Sequence, residues 1–247
     1  MRIRATMIVI VLAAPAASES GAKPFSTTYK GKYAEVDISW SAEVSQVPTL
    51  VRRFRREFAS EKAQSIKCGK IESEVRGRTG DEAMRCSSST TITTKGETPR
   101  LLSLARAYWA FTGGAHGNGA THGLLWDRAM NREISFASLF TSPRSITTLL
   151  RQPYCKALDA ERKKRRGPDY TPGGIAEFNS CPKLLDLALM PASSARSGRF
   201  DQIRLIAAPY QAGSFAEGEY DIAPPITSPV IAAIKPAYRA SFRAQRQ

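Results

Sequence analysis

The 247-residue sequence has little of what common catalytic centres are built from. It contains only two histidines, no CxxC or CxH spacing and no GxSxG motif. A zinc site takes three or four ligands from cysteine, histidine and carboxylate side chains, and a nucleophilic serine or cysteine needs a neighbouring base. We therefore predict no metal site, no cofactor and no catalytic residue set, which favours a non-catalytic protein.

Acidic residues are scarce as well, because 22 Asp and Glu stand against 36 Lys and Arg and leave a formal net charge of +14. A charge of this size promotes encounter with anionic polymers and surfaces, although it carries no information about the fold. No internal segment approaches the roughly 20 apolar residues of a transmembrane helix. We therefore expect no transmembrane span in the mature chain.

The amino-terminal residues have the pattern of a secretory signal peptide. Arg2 and Arg4 precede a short apolar run over residues 5–14, and small residues follow that run. This pattern predicts a signal peptide over residues 1–17 and a periplasmic or secreted protein. The expected partner is then a cell-wall polymer or an envelope protein, and nucleic acid is not expected as a partner.

Four cysteines fit an oxidising compartment, and they can pair in three ways. Pairing sequence neighbours closes the shortest loops and keeps one bridge in each half of the chain. We therefore expect Cys68 to pair with Cys86, and Cys155 with Cys181.

Hydrophobic periodicity predicts an α+β fold, with an antiparallel sheet, helices packed on one side of it and disulfide staples. The predicted strands cover residues 34–40, 90–94, 101–111, 133–136, 184–190, 202–208 and 221–223. The predicted helices begin at Pro48 and near Ser145, and residues 68–86 are expected to form a polar, disulfide-closed excursion.

One stretch concentrates unusual residues. Residues 112–123 contain five glycines and both histidines, and they lie between two apolar runs. Glycine permits positive φ angles that other residues avoid, so this stretch predicts the shaped loop of a β-hairpin that presents His116. A ligand-binding loop and a plain turn in which His116 bonds to the backbone both fit this pattern.

Two blocks of the sequence resemble the bacterial extracytoplasmic domain family DUF3298. They are AYWAFTGGAHG at residues 107–117 with LWD at 125–127 and EISFASLF at 133–140, and APYQAGSFAEGEY at 208–220. This family is usually preceded by a DUF4163 segment, and both occur in a lysozyme-sensing anti-sigma factor of Bacillus and beside the catalytic domain of a peptidoglycan deacetylase. The resemblance implies a DUF4163-like part over residues 25–89 and a DUF3298-like part over residues 90–240.

The function that the resemblance implies is an exported module that recognises peptidoglycan or another envelope ligand, with lysozyme as a narrower version. The positive charge of the chain counts against lysozyme, which is also basic, because the long-range electrostatic interaction is repulsive. The alternative is an enzyme that acts on envelope glycans through His116 or through paired carboxylates such as Glu217 and Asp127.

The candidate ligand-binding residues come from the two blocks and are His116, Gly114, Asn118, Trp126, Tyr210 and Glu217. Aromatic side chains beside glycine loops suit stacking on sugar rings, so Tyr108, Trp109 and Phe215 are further candidates. Strand alternation places Tyr108 and Trp109 on opposite faces, and at most one of them can face a ligand.

Five consecutive cations end the second predicted helix: Arg162, Lys163, Lys164, Arg165 and Arg166. Cations are favourable at a helix carboxyl terminus, which explains some of them without a ligand. Because five exceed what capping requires, the run is also a candidate contact for an anionic polymer.

Overall fold

The computed structural model describes residues 21–79, 85–168, 174–194 and 198–245, and the predicted signal peptide lies outside the described residues. The strands are β1 (Phe25–Lys30), β2 (Ala34–Trp40), β3 (Cys86–Glu97), β4 (Leu101–Phe111), β5 (Asn118–Asp127), β6 (Arg132–Ile134), β7 (Ala188–Ala192), β8 (Gln202–Ala207) and β9 (Tyr220–Ile222). The helices are α1 (Ala42–Ser45), α2 (Pro48–Thr79), α3 (Arg144–Arg166), α4 (Ser228–Ala233) and α5 (Pro236–Arg239).

The first six strands form one sheet in the order β1-β2-β3-β4-β5-β6. Strands β3 to β6 follow one another as an antiparallel meander, as their spacing in the sequence predicts. Strands β2 and β3 are instead parallel, with Trp40 opposite Ile92. A parallel pair needs a long crossover connection, and α2 lies within it. The sheet thus continues across residue 90, where the sequence predicts the boundary between two parts.

Helix α2 covers one face of this sheet. It begins at Pro48, as predicted, because proline is tolerated in the first helical turn. Its buried residues Leu50 and Phe54 belong to one apolar cluster with Ile38 and Trp40 of β2. Residues 68–86 are predicted to form a polar, disulfide-closed excursion, and the Cys68–Cys86 disulfide closes this segment, but α2 continues through it to Thr79. The Lys, Glu and Arg residues of that segment are good helix formers, so polarity alone does not indicate a loop there.

The opposite face of the sheet carries a second layer. Strands β7, β8 and β9 form a small antiparallel sheet. This layer contacts the large sheet through a cluster of Ala105, Met190 and Ile206. Helix α3 packs on the same side, where its buried residues Leu150 and Tyr154 join the largest apolar cluster. The fold class is therefore α+β, as predicted.

Two disulfides staple the described elements, with the predicted pairing. Cys68–Cys86 joins α2 to the start of β3, and Cys155–Cys181 joins α3 to the segment that precedes β7. Disulfides fit a protein outside the cytoplasm. Within the described ranges, no helix combines the length and the apolar character needed to cross a bilayer.

Candidate ligand-binding site

The loop over residues 112–117, here called the His116 loop, joins β4 and β5 and confirms the predicted hairpin. It is shorter than predicted, because β5 already begins at Asn118. Gly113 and Gly114 have φ angles of +102° and +86°, so glycine is required to turn the chain here. The imidazole Nδ1 of His116 donates to the Gly117 carbonyl at 2.9 Å, and Gly114 shapes the backbone.

The segment over residues 208–219, here called the Phe215 loop, joins β8 to β9 and meets the His116 loop. The rings of His116 and Phe215 stack with centroids 3.9 Å apart and planes inclined by 20°. The two blocks that the sequence analysis singled out therefore form one surface, although about a hundred residues separate them.

The stacked pair continues into a row of rings. Tyr210 lies next to Phe215 with centroids 5.8 Å apart, and Phe178 lies next to Tyr210 at 6.3 Å. We call His116, Phe215, Tyr210 and Phe178 the aromatic row. The side chain of Tyr210 is 48% exposed, and its φ of +71° is unusual for a residue with a Cβ. The row therefore presents a continuous aromatic surface to solvent.

Trp109 stands beside this row. It is 42% exposed and lies directly behind Gly117, where an added Cβ would come within 2.2 Å of the indole ring. A cavity of about 260 Å³ lies between Trp109, Phe215 and Glu219, and Pro209 also lines it. The side chain of Trp109 thus lies on the face of the sheet that carries the second layer. Because Tyr108 and Trp109 are neighbours in β4, their side chains point to opposite faces, as predicted.

Glu219 anchors the Phe215 loop to β5. Its two carboxylate oxygens accept hydrogen bonds from Thr121, one from the backbone amide at 2.6 Å and one from the hydroxyl at 2.8 Å. At the start of β5, the side-chain Oδ1 of Asn118 accepts a hydrogen bond from the amide of Gly119 at 2.9 Å. Asn118 therefore shapes the entry to β5 next to the cavity.

Glu217, which the sequence analysis predicts as a ligand contact, is engaged in hydrogen bonds within the protein. One oxygen accepts from the Ser214 amide at 2.7 Å, and the other accepts from Arg166 at 2.6 Å and from the Tyr220 hydroxyl. Burial raises the pKa of this carboxyl, but the hydrogen bonds outweigh that effect and bring the pKa down to about 2. Glu217 is therefore ionised at neutral pH and fully engaged in holding the Phe215 loop.

Trp126, also predicted as a ligand contact, is buried. It is 5% exposed and packs in the apolar cluster beneath α2, on the opposite face of the sheet from the aromatic row. Trp126 lies two residues after Leu124 in β5 and therefore points to the same, buried face of the sheet. Its residue type suggested a sugar contact, but its register in the strand buries it.

The carboxylate pair considered for glycan hydrolysis does not assemble. Asp127 is buried, and although burial raises its pKa, hydrogen bonds from Met130 and Arg100 lower it overall. It lies six residues along β5 from Thr121, which is roughly 20 Å. Glycosidase carboxylates lie roughly 5–10 Å apart, so Asp127 and the Phe215 loop cannot act together in that way.

The basic run at the end of α3 is divided between internal contacts and solvent, and its role as a polymer contact stays a prediction. Arg162 is 4% exposed, and it donates to the carbonyls of Ala212 at 2.9 Å and Ser180 at 2.7 Å. These bonds tie α3 to the two loops that carry Tyr210 and Phe178.

The neighbouring arginines have similar roles. Arg165 donates to the carbonyls of Glu217 and Glu219, and Arg166 pairs with the Glu217 carboxylate and donates to the Phe178 carbonyl. Lys163 and Lys164 are exposed. The run therefore acts mainly as a clamp beneath the aromatic row and presents two lysines to solvent.

Sequence reasoning missed Phe178 and Glu219 as members of this site. The Cys155–Cys181 pairing was a usable signal, because it ties the segment around Phe178 to α3 and hence to the basic run. No sequence signal identified Glu219, because its role depends on a contact with Thr121, which lies 98 positions earlier in the sequence. Over the described ranges, no cluster of three or more His, Cys, Asp or Glu side chains is arranged to hold a metal ion.

Solved structures share this architecture. The chain is similar to a DUF3298 family protein from Pseudomonas aeruginosa PAO1, with 15% identity, 90% of this chain and 95% of that chain covered, and a TM-score of 0.50. It is also similar to a member of the DUF3298 family from Bacteroides fragilis NCTC 9343, with 14% identity, 87% and 98% covered, and a TM-score of 0.50. No protein-family model and no curated protein matches the sequence. The likeness supports a DUF3298 fold, and the DUF4163-like assignment of residues 25–89 stays a prediction.

Proposed function

We propose that this protein is an exported binding module that holds an envelope glycan, with peptidoglycan as the principal candidate, on the aromatic row and Trp109. The observation that carries the proposal is the stacking of His116 on Phe215, which joins two remote loops into one exposed aromatic surface beside a cavity. Aromatic side chains with a polar edge present an apolar face together with a hydrogen-bonding group, which suits the mixed surface of a sugar.

The support around the row also favours a binding surface. Arg162 and Arg166 fix the two loops from beneath through buried and partly buried hydrogen bonds, so the rings are held in place before a ligand arrives. A preorganised site loses less conformational entropy on binding. Lys163 and Lys164 are exposed at the same end of α3, and the positive charge of the chain favours encounter with an anionic polymer.

The proposal is tested by sedimentation of the mature protein with purified peptidoglycan sacculi. Trp109→Ala and Tyr210→Ala remove exposed rings, and we expect each to weaken retention by up to about tenfold. Tyr29→Ala is the matched control, because Tyr29 belongs to β1 at the opposite edge of the six-stranded sheet. Circular dichroism of each variant verifies that the fold is retained.

Equal retention of the Trp109, Tyr210 and Tyr29 variants would contradict the proposed site. Loss of retention at high salt in all variants alike would assign binding to net charge alone, because exposed charges are screened by salt while ring stacking is not.

A further inference from the structure

A cavity of about 550 Å³ lies along the free edge of β5 and is distinct from the cavity beside Trp109. Strand β6 pairs with β5 only from Leu125 to Asp127. Within the described part of the chain, residues 118–124 of β5 have no strand partner on that side. We call the cavity the edge groove.

The lining of the edge groove indicates that it follows a strand edge. Four consecutive residues, 120–123, line it, although successive side chains of a strand point to opposite faces. Only a cavity at the edge of the sheet can contact both faces of one strand. Residues 187–189, at the start of the edge strand β7, line its other wall in the same way.

The backbone of β5 faces this groove with hydrogen-bonding groups. The amide of Thr121 donates to the Glu219 side chain and therefore points away from β4. Alternate residues of an antiparallel strand point the same way, so the amide and carbonyl of Gly123 also face the free edge. An extended peptide can bond to such an edge by strand addition.

The charge of the groove differs from that of the chain. The protein carries a net charge of +14, yet the lining of the groove includes Glu133 and Asp186 and no lysine or arginine. Glu133 pairs with Arg53 at 2.5 Å, while Asp186 is exposed at the rim. A cationic group on a ligand is therefore favoured at the Asp186 end.

The edge groove adjoins the aromatic site. Ala120 and Thr121 line both the edge groove and the cavity beside Trp109, with the Thr121–Glu219 contact between the two. A ligand with a sugar part and a peptide part can occupy both cavities at once.

We propose that the edge groove binds an extended peptide that carries a free amine, with its backbone along the Gly123 edge of β5 and its amine at Asp186. This inference rests on the proposed function, because it places the peptide of a peptidoglycan fragment next to the site of its sugar. It adds a second recognition element, which discriminates between peptidoglycan and glycans without peptide.

The test uses calorimetric titration of the full mature chain with three probes. They are a peptide-free chitin tetrasaccharide, a disaccharide-peptide fragment with a lysine in its peptide, and the same fragment with the lysine amine acetylated. We expect the free-amine fragment to bind about fivefold more tightly than the acetylated one, as for one exposed ion pair. Asp186→Lys is expected to abolish this difference, and Glu74→Lys, an equal charge change on α2 outside both cavities, is expected to preserve it.

Backbone contact is measured separately by amide hydrogen exchange, which is expected to slow at Gly123 with the fragment and to stay unchanged with the tetrasaccharide. Equal affinities for the acetylated and free-amine fragments in the wild-type protein would overturn the inference, whether or not Asp186→Lys folds. In that case, continued tetrasaccharide binding would leave the proposed glycan site intact. If the tetrasaccharide fails to bind while the free-amine fragment still binds more tightly than the acetylated one, the result would contradict the proposed glycan site and support peptide binding in the edge groove.

Discussion

The imidazole of His116 lies flat on the ring of Phe215, and this contact joins the loop after β4 to the loop after β8. The two loops are far apart in the sequence, so this contact forms only when the tertiary structure forms. Stacked aromatic pairs contribute about 0.5–1.5 kcal/mol beyond the area that they bury.

A double-mutant cycle on this pair measures its contribution. We expect His116→Ala and Phe215→Ala each to lower the free energy of unfolding, with a coupling of about 1 kcal/mol between them. Urea unfolding of the two single variants and the double variant gives this number. Additive effects would mean that the two rings do not support each other in solution.

Gly117 and Gly114 form a matched pair of glycines in the same loop. Gly117→Ala places a Cβ within 2.2 Å of the Trp109 ring, so Trp109 must move, at a cost of about 1–3 kcal/mol. Gly114→Ala meets no atom within 4 Å, and its cost of about 1 kcal/mol comes from the positive φ alone.

Binding separates these two glycine variants further. We expect Gly117→Ala to reduce retention on peptidoglycan and to change the tryptophan fluorescence, while Gly114→Ala leaves both close to wild type. An unchanged fluorescence spectrum in Gly117→Ala would contradict the close packing of Trp109 behind the loop.

Glu217 makes stability depend on pH in the acid range. Its pKa falls from about 4.5 in the unfolded chain to about 2 in the folded protein, chiefly because the hydrogen bonds from Arg166 and Tyr220 outweigh burial. The stabilisation is therefore present above pH 4.5 and is lost as the pH falls towards 2, with an upper limit of about 3 kcal/mol.

Glu217→Gln removes this titration, so the difference in unfolding free energy between wild type and variant is expected to shrink as the pH falls from 5 to 2. Chemical denaturation at several pH values measures it, and subtraction cancels the contributions of other acids. A difference that stays constant over this range would refute the assigned ion pair.

The arginines and lysines at the end of α3 are expected to respond differently to substitution. Arg162→Ala leaves buried carbonyls of Ala212 and Ser180 without their donor, so we expect a loss of about 2–4 kcal/mol in unfolding free energy. Lys163→Gln with Lys164→Gln is expected to change stability by less than about 0.5 kcal/mol, because both side chains are exposed.

The lysine substitutions are instead expected to lower retention on anionic sacculi, with an effect that disappears at high salt. Sedimentation at two ionic strengths checks this expectation. A stable Arg162→Ala variant would show that the clamp beneath the aromatic row contributes little.

The sequence alone determined much of the local structure. Alternation predicted β2, the apolar run before the glycine-rich loop predicted β4, and Pro48 marked the start of α2. The spacing of the four cysteines predicted the observed pairing. These features depend on residues close together in the chain, where periodicity, turn chemistry and loop length act directly.

Only the tertiary structure decided which residues form the site. Trp126 and Trp109 have the same chemistry, but strand register buries the first beneath α2 and exposes the second beside Phe215. The sequence suggests that Arg162 is a surface cation. In the fold its side chain is buried and donates hydrogen bonds to the carbonyls of Ser180 and Ala212, which belong to remote segments. Contacts between remote segments depend on how the layers pack, and local sequence patterns carry no record of that packing.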